Sequence, residues 1–166
     1  KWFGIDREAA KEETRWNYDI EKHGSKWHMN NVNATIGIAQ LNRLDAVLET
    51  HKQNGQYYNE ALKNVSGVQL MTVPKKSEPS YWIYPLRVQK REEFAKMMKA
   101  NGIAVNIAHV RNDSYSVVKD SSYVLNHWEQ LPNMNEFEKE YIFIPCHWAV
   151  SPEDREYIVE TIRSGW

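Results

Sequence analysis

The stretch YWIYPLRVQKREEFAKMMKANGIAVNI, residues 81–107, decides the fold class. Its aromatic and β-branched beginning predicts a strand over residues 81–88. Pro85 lacks the N–H that a sheet ladder uses, so we expect this strand at a sheet edge or at a bulge. The apolar spacing of residues 91–101 predicts a helix that ends at a glycine, and residues 103–107 predict another strand.

The region before this stretch predicts one long helix that begins at Asn31 and ends near Gly67. Asn30 or Asn31 can cap it, because a short polar side chain accepts hydrogen bonds from the first turn. Gly55 is a weak point inside the helix and favours a bend there. The predicted apolar stripe comprises Val32, Ile36, Ala39, Leu44, Val47, Leu48 and His51.

The rest of the chain alternates short strands and helices. Alternating apolar and polar residues predict a strand over residues 68–73. A short helix is predicted over residues 132–140 and a short strand over residues 141–145. Ser151 and Pro152 then form a strong helix start, since serine caps and proline suits the first helical position. We expect Tyr157, Ile158 and Ile162 on the buried face of this last helix. The order predicts an α+β fold, with a small sheet covered by helices on one face.

Composition excludes several classes of protein. The 166 residues have a formal charge of −1, which gives no electrostatic signature for nucleic acid or an anionic membrane. No apolar run approaches the roughly 20 residues of a bilayer span, and the first residues lack an apolar export signal. One cysteine, Cys146, excludes an internal disulfide, fits a reducing compartment and leads us to expect a cytoplasmic protein. No metal site is expected, because the six histidines lack the four-residue helical spacing of zinc ligands.

Cys146 is followed directly by His147, but this neighbouring pair does not predict a catalytic dyad. Adjacent residues of a strand point to opposite faces of the sheet, so the thiol and the imidazole are expected to face apart. We expect Cys146 to be a buried, small apolar residue.

Two polar loops remain as candidates for function. GSKWHMNNVNA, residues 24–34, places Lys26 and His28 just before a helix start. HVRND, residues 109–113, follows a predicted strand. From the residues alone these are loops able to bind an anion, or ordinary solvated loops.

Residues 1–29 mix charges with Trp16, Tyr18 and Trp27 without a helical or strand period. Such a segment is either a solvated arm or a surface completed by another protein surface, since aromatic side chains are enriched where two surfaces meet. We expect self-association through residues near Trp2, Phe3, Trp16 and Trp27.

The run GSKWHMNNVNATIGIAQLNRLD, residues 24–45, resembles the entry into the long helix of the DegT/StrS family of nucleotide-sugar aminotransferases. The matching residues are Gly24, Met29, Ala34, Ile36, Gly37, Gln40 and Leu41. KWFGIDRE, SYWIYPLRV, NGIAVNIAHVRND, the Ile144–Pro145 strand end and SPEDREYIVETI are similar to the family in the same order. The resemblance covers essentially the whole chain.

The resemblance implies a fold-type I enzyme that uses pyridoxal 5′-phosphate to move an amino group, usually from glutamate, to a nucleotide-linked keto-deoxysugar. Such enzymes are homodimers with shared active sites. Residues 1–30 would be the end of the large domain, and residues 31–166 the small C-terminal domain with its long linking helix. The Schiff-base lysine would lie upstream, so no catalytic residue is assigned in this chain, which alone is expected to be inactive and not to bind the cofactor.

The resemblance also implies roles for particular residues. Lys26 stands where the family has an asparagine that reaches the cofactor phosphate of the neighbouring subunit, and His28 stands where it has an arginine. We assign Lys26 to cofactor binding and His28, His109, Arg111 and Asn112 to substrate binding. Two alternatives stay open: a related pyridoxamine-phosphate-dependent sugar 3-dehydratase, and a non-catalytic interaction module. The sugar and the aminated carbon are not identified.

Overall fold

A computed structural model describes residues 27, 29–108, 110–119 and 131–166. The chain divides into two compact units, Lys1–Gln40 and Leu41–Trp166. The helices are α1 (Asn31–Leu41), α2 (Leu44–Leu62), α3 (Arg91–Ala100), α4 (Ser116–Lys119), α5 (Pro132–Glu140) and α6 (Pro152–Arg163), with a 3₁₀ turn at Asn112–Ser114. The strands are β1 (Val68–Leu70), β2 (Tyr84–Val88) and β3 (Tyr141–Ile144).

The single long helix predicted from Asn31 is wrong, because α1 ends at Leu41 and α2 begins at Leu44. The predicted stripe contains a step of five, from Ala39 to Leu44, which departs from the 3.6-residue period and spans the break. Asn30 does act as a cap, since its Oδ1 accepts a hydrogen bond from the Asn33 N–H at 2.8 Å. The apolar residues of two successive helices therefore resemble the stripe of a single helix.

The two halves of the stripe differ in burial. In α1 the side chains of Val32 and Ile36 are 69% and 56% exposed, and the helix has no buried residue. In α2, by contrast, Val47 and Leu48 are half-buried and His51 is buried. Gly55, where the sequence favours a bend, lies inside α2, which runs unbroken through that residue.

The described residues form a three-stranded antiparallel sheet in the order β1–β2–β3. Tyr84, Leu86 and Val88 of β2 point into the core, and the residues between them are half-buried, as the two-residue period of a strand requires. Buried side chains of α2, α3 and α6 complete the same core. The α+β fold with helices packed on a small sheet is thus confirmed.

Pro85 lies in the central strand, so the expected edge position is wrong for the strand as a whole. Pro85 itself nevertheless avoids a position that is paired on both sides, as its missing N–H requires. Strand β1 ends at Leu70, opposite Leu86, so at Pro85 only Phe143 of β3 stands alongside. The proline therefore lies just beyond the point where the second ladder stops.

The strand predicted over residues 103–107 is reduced to one bridge. Asn106 exchanges hydrogen bonds with Phe143, with N···O distances of 3.3 and 2.9 Å. The N–H of Ile103 instead donates to the carbonyl of Met98 at 2.9 Å, after Gly102 turns the chain with a φ of +73°. The backbone at Ile103 is therefore used to end α3.

The last helix begins as predicted. The Ser151 hydroxyl accepts from the Asp154 N–H, and the Asp154 carboxylate accepts from the Ser151 N–H, both at 3.0 Å. Ile158 and Ile162 are buried, but Tyr157 is 49% exposed, contrary to expectation. Its hydroxyl donates to the carbonyl of Asn101 at 3.1 Å, so the ring lies along the surface with its polar end satisfied.

In the part of the chain that the structure describes, no helix combines the length and apolar character that a membrane crossing requires.

Candidate functional site

Two of the five assigned binding residues, Arg111 and Asn112, lie in the described part of the chain. Lys26, His28 and His109 lie outside the described residues, so their assignments stay predictions. Of the aromatic residues expected to mediate self-association, Trp27 is described and is 90% exposed.

Arg111 is buried and engages the carboxylate of Asp113 in a fork. Its Nε donates to Asp113 Oδ1 at 2.8 Å, and its Nη2 donates to Asp113 Oδ2. The two side chains are only 7% and 19% exposed. The hydrogen bonds from Arg111 hold the pKa of the Asp113 carboxyl below its usual range, and those to Asp113 raise the pKa of Arg111. Both groups are thus held in their charged forms.

A third hydrogen bond connects this pair to α5. The Nη1 of Arg111 donates to the Oδ1 of Asn135, which lies in the first turns of that helix. Asn135 could not be identified from the sequence, because it stands 24 positions from Arg111 and belongs to no recognisable motif. Only the folded chain brings it to Arg111.

The backbone around Arg111 forms a compact turn, residues 111–115. The carbonyl of Arg111 accepts from the Ser114 N–H at 3.2 Å and from its hydroxyl at 2.6 Å. The carbonyl of Asn112 accepts from the Tyr115 N–H at 3.2 Å. The side chain of Asn112 is exposed. Within this turn the guanidinium therefore faces inward, and the amide of Asn112 is in solvent.

The segment after β3 is fastened to α2 by buried hydrogen bonds. The Nδ2 of Asn54 donates to the carbonyls of Val150 at 3.1 Å and His147 at 3.4 Å. The hydroxyl of Tyr58 donates to the carbonyl of Pro145 at 2.9 Å. These contacts join residues about 90 positions apart and fix the path of the chain into α6.

Cys146 is buried, as predicted, and its surroundings disfavour the thiolate form. Burial raises the pKa of its thiol to about 12. The Sγ lies 3.8 Å from the carbonyl of His51, and the imidazole of His147 is exposed, with its Nδ1 accepting from the Ala149 N–H at 3.3 Å. Cys146 therefore serves the core.

A surface cavity between the end of α2 and Arg163 is poorly suited to a phosphate group. The cavity, of about 360 Å³, is lined by Glu60, Ala61, Asn64, Val65, Ser66 and Arg163. The Glu60 carboxylate would repel a phosphate, and the Arg163 Nη2 already donates to the Ala61 carbonyl at 2.9 Å. In the same described ranges, no three histidine, cysteine or acidic side chains are grouped as metal ligands.

The chain is similar to a family of known aminotransferases along nearly its whole length. A profile of the DegT/DnrJ/EryC1/StrS aminotransferase family matches residues 1–163. The dTDP-4-amino-4,6-dideoxy-D-glucose transaminase of Shigella dysenteriae is 27% identical over 147 residues, which are 84% of this chain and 39% of that protein. The UDP-4-amino-4,6-dideoxy-N-acetyl-beta-L-altrosamine transaminase of Campylobacter jejuni is 24% identical, over 90% of this chain and 40% of that protein.

Solved structures give the same result. Sugar aminotransferase CalS13 from Micromonospora echinospora superposes with a TM-score of 0.82 at 31% identity, over 90% of this chain and 39% of that one. AtS13 from Actinomadura melliaura gives 0.84 at 35% identity, over 92% and 39%. Spr1654 from Streptococcus pneumoniae, solved in PLP and PMP forms, matches at 24% identity with TM-scores of 0.77 and 0.78, over 90% of this chain and 38% of that one. The chain spans about 40% of the length of these relatives and corresponds to their C-terminal part.

Proposed function

The chain belongs to the DegT/DnrJ/EryC1/StrS aminotransferase family, and from this premise we propose that it works as the C-terminal part of a pyridoxal-phosphate-dependent enzyme. The enzyme transfers an amino group from glutamate to the keto group of a nucleotide-linked deoxysugar. The observation that carries the proposal is the family match over residues 1–163 together with the superposition on CalS13 and AtS13. When bound, pyridoxal phosphate supplies the electron sink for the amino transfer.

The names of the related proteins support the substrate class. The Shigella and Campylobacter relatives are named as transaminases of dTDP- and UDP-linked amino sugars. This favours an aminotransferase over the sugar 3-dehydratase and over a non-catalytic module. The particular sugar is left open, because the relatives' names differ in nucleotide and in sugar.

The assigned residues divide between two tasks in this proposal. Lys26, just before α1, reaches the cofactor phosphate across the interface of a homodimer. His28 and the loop with His109, Arg111 and Asn112 face the nucleotide sugar. Residues 1–30 belong to the end of the large domain and residues 31–166 to the small domain, and we place the enzyme in the cytoplasm, consistent with a single buried thiol.

The test uses the full-length protein encoded around this chain. With pyridoxal phosphate it is expected to form a saturable aldimine that one upstream lysine substitution abolishes. Given dTDP-4-amino-4,6-dideoxyglucose or a UDP-linked amino sugar together with 2-oxoglutarate, it should produce glutamate and the keto sugar. The 166-residue chain alone is the control and should form only nonspecific lysine adducts. Absence of both signals from the full-length protein would refute the proposal.

Lys26→Ala should weaken cofactor retention in the full-length protein. A charge-assisted hydrogen bond to phosphate contributes about 1.5–3 kcal/mol, which corresponds to roughly tenfold to hundredfold in affinity. His28→Ala is the matched control and should have a smaller effect, because that position departs from the family pattern. Titration with pyridoxal phosphate measures both. Equal affinity of Lys26→Ala and the wild type would remove Lys26 from the site.

A further inference from the structure

We propose that Arg111 is a positioning residue, whose charge is used inside the turn, and that Asn112 is the side chain of this turn that contacts ligand. The inference rests on the proposed function only for the ligand, a nucleoside diphosphate with its attached sugar. It deepens that function, because the whole loop is assigned to substrate binding. Within the loop, Arg111 now supports the turn and Asn112 contacts the ligand.

The guanidinium of Arg111 is already paired within the protein. Its Nε, Nη1 and Nη2 donate to Asp113 and Asn135, and its side chain is 7% exposed. Because the Arg111 side chain is 7% exposed, little of its guanidinium is open to a ligand, and a diphosphate that displaced Asp113 would leave that carboxylate with its charge uncompensated in a largely buried position. Leaving one partner of a buried ion pair alone is strongly unfavourable. The pair is therefore expected to stay closed when ligand binds.

The Arg111–Asp113 pair holds the turn of residues 111–115 in place. Both backbone carbonyls that close the turn, those of Arg111 and Asn112, accept from N–H groups three residues further along. The Asp113 carboxylate bonds back to Arg111, and Arg111 bonds onward to Asn135 of α5. The turn is thus closed on itself and attached to a nine-residue helix. Opening the pair would release both connections together.

The turn presents the polar side chain of Asn112 to solvent. Asn112 is exposed, and a carboxamide offers both donors and an acceptor. Such a group suits the hydroxyl and carbonyl groups of a sugar or a base, which are neutral. A ligand approaching residues 111–115 therefore meets an amide on a fixed turn instead of a mobile cation.

Hydrogen exchange in the 166-residue chain tests the support. Arg111→Ala and Asp113→Ala should each speed exchange of the Ser114 and Tyr115 amides, by a similar factor, and the double variant should add little. Lys139→Ala removes an exposed ion pair on α5 and is the matched control, expected to leave both amides unchanged. Unaltered exchange in the Arg111 and Asp113 variants, or strictly additive effects, would overturn the proposal.

Binding of dTDP and UDP to the full-length protein tests the contact. If Arg111 only positions the turn, Asp113→Ala should weaken binding by about the same factor as Arg111→Ala. If Arg111 binds phosphate itself, Asp113→Ala should leave affinity unchanged or raise it, which would overturn the proposal. Asn112→Ala should weaken binding roughly three- to tenfold, the range of one hydrogen bond, while the exchange of the turn amides stays as in the wild type.

The two measurements separate the two proposals. If the wild-type protein binds neither nucleotide while the exchange data show coupling of Arg111 and Asp113, the proposed substrate class fails and the support role stands. If binding is found but exchange shows no coupling, the support role fails and the proposed substrate class stands.

Discussion

Gly55→Ala should destabilise the chain, although alanine normally stabilises a helix relative to glycine. A Cβ built on Gly55 would lie 2.4, 2.4 and 2.7 Å from three atoms of the Tyr81 ring, including its root carbon Cγ. Ordinary contacts of a Cβ begin at about 3.4 Å, so the ring must move by 3.4 − 2.4, or about 1.0 Å. The question is what resists that movement.

Tyr81 has a left-handed backbone conformation, and two contacts hold its side chain. Its backbone has a φ of +48°, its hydroxyl accepts from the Nδ2 of Asn59 at 3.0 Å, and its ring stacks on Tyr84 with centroids 5.8 Å apart. Losing the hydrogen bond costs about 1 kcal/mol and losing the stacking about 0.5–1.5 kcal/mol. The gain in helix propensity on replacing Gly55 is about 1 kcal/mol. The net expectation is a loss of about 0.5–1.5 kcal/mol in the free energy of unfolding.

Urea unfolding followed by circular dichroism measures this change, read at a constant slope m. In a Tyr81→Ala background the same Gly55→Ala substitution should stabilise by up to about 1 kcal/mol, because the obstacle is gone. Gly37→Ala is a second control, since nothing lies within 4 Å of its built Cβ. A Gly55→Ala chain at least as stable as the wild type would show that the close approach is not maintained in solution.

Three further predictions concern buried or capping groups of the described chain. Asn54→Ala should lower the free energy of unfolding by about 1–3 kcal/mol, because it leaves the buried carbonyl of Val150 without the Asn54 donor; chemical denaturation measures it. Ser151→Ala should cost about 1 kcal/mol by removing the cap that accepts from Asp154, and an unchanged thermal midpoint would contradict this. The pKa of Asp113 is lowered by Arg111, so the stability it adds is fully present above its unfolded pKa of about 3.9 and is lost as pH falls through the folded value. The difference in stability between wild type and Asp113→Asn should therefore be constant from about pH 7 to 5 and shrink below about pH 4 in unfolding titrations.

Elements with local signals were predicted well. The capping box at Ser151 and the proline after it depend on residues within one turn, so the sequence alone identifies the start of α6. The aromatic and β-branched composition of residues 81–88 likewise identifies β2, which the structure places at Tyr84–Val88. In both cases the interactions that matter join residues close together in the chain.

Elements that depend on distant residues were predicted poorly. The break between α1 and α2 contains neither glycine nor proline, and only the step of five in the apolar pattern marked it. Gly55 reads as a weak point until Tyr81 is seen to lie on it, 26 residues further along. Whether Pro85 has a neighbouring strand on both sides depends on where β1 ends, and the residues near the proline do not indicate that.

The candidate site shows the same division. A loop with arginine, asparagine and aspartate can be identified from sequence as a polar loop, but its inward and outward side chains cannot. That distinction comes from Asn135, which receives Arg111 only because α5 folds beside the turn. Of the two assigned residues that the structure describes, the cationic one, Arg111, is thus already bound within the protein.

Polar contacts connect this turn to the sheet through α5. That helix passes into β3 without an intervening loop, since it ends at Glu140 and β3 begins at Tyr141. The Glu140 carboxylate accepts from Arg87 of β2 at 2.9 Å and is 35% exposed. A turn attached to α5 through Arg111 is therefore attached to the central strand as well. Because packed elements resist displacement, this arrangement gives Asn112 a fixed position at the surface, which a contact residue for a small polar ligand requires.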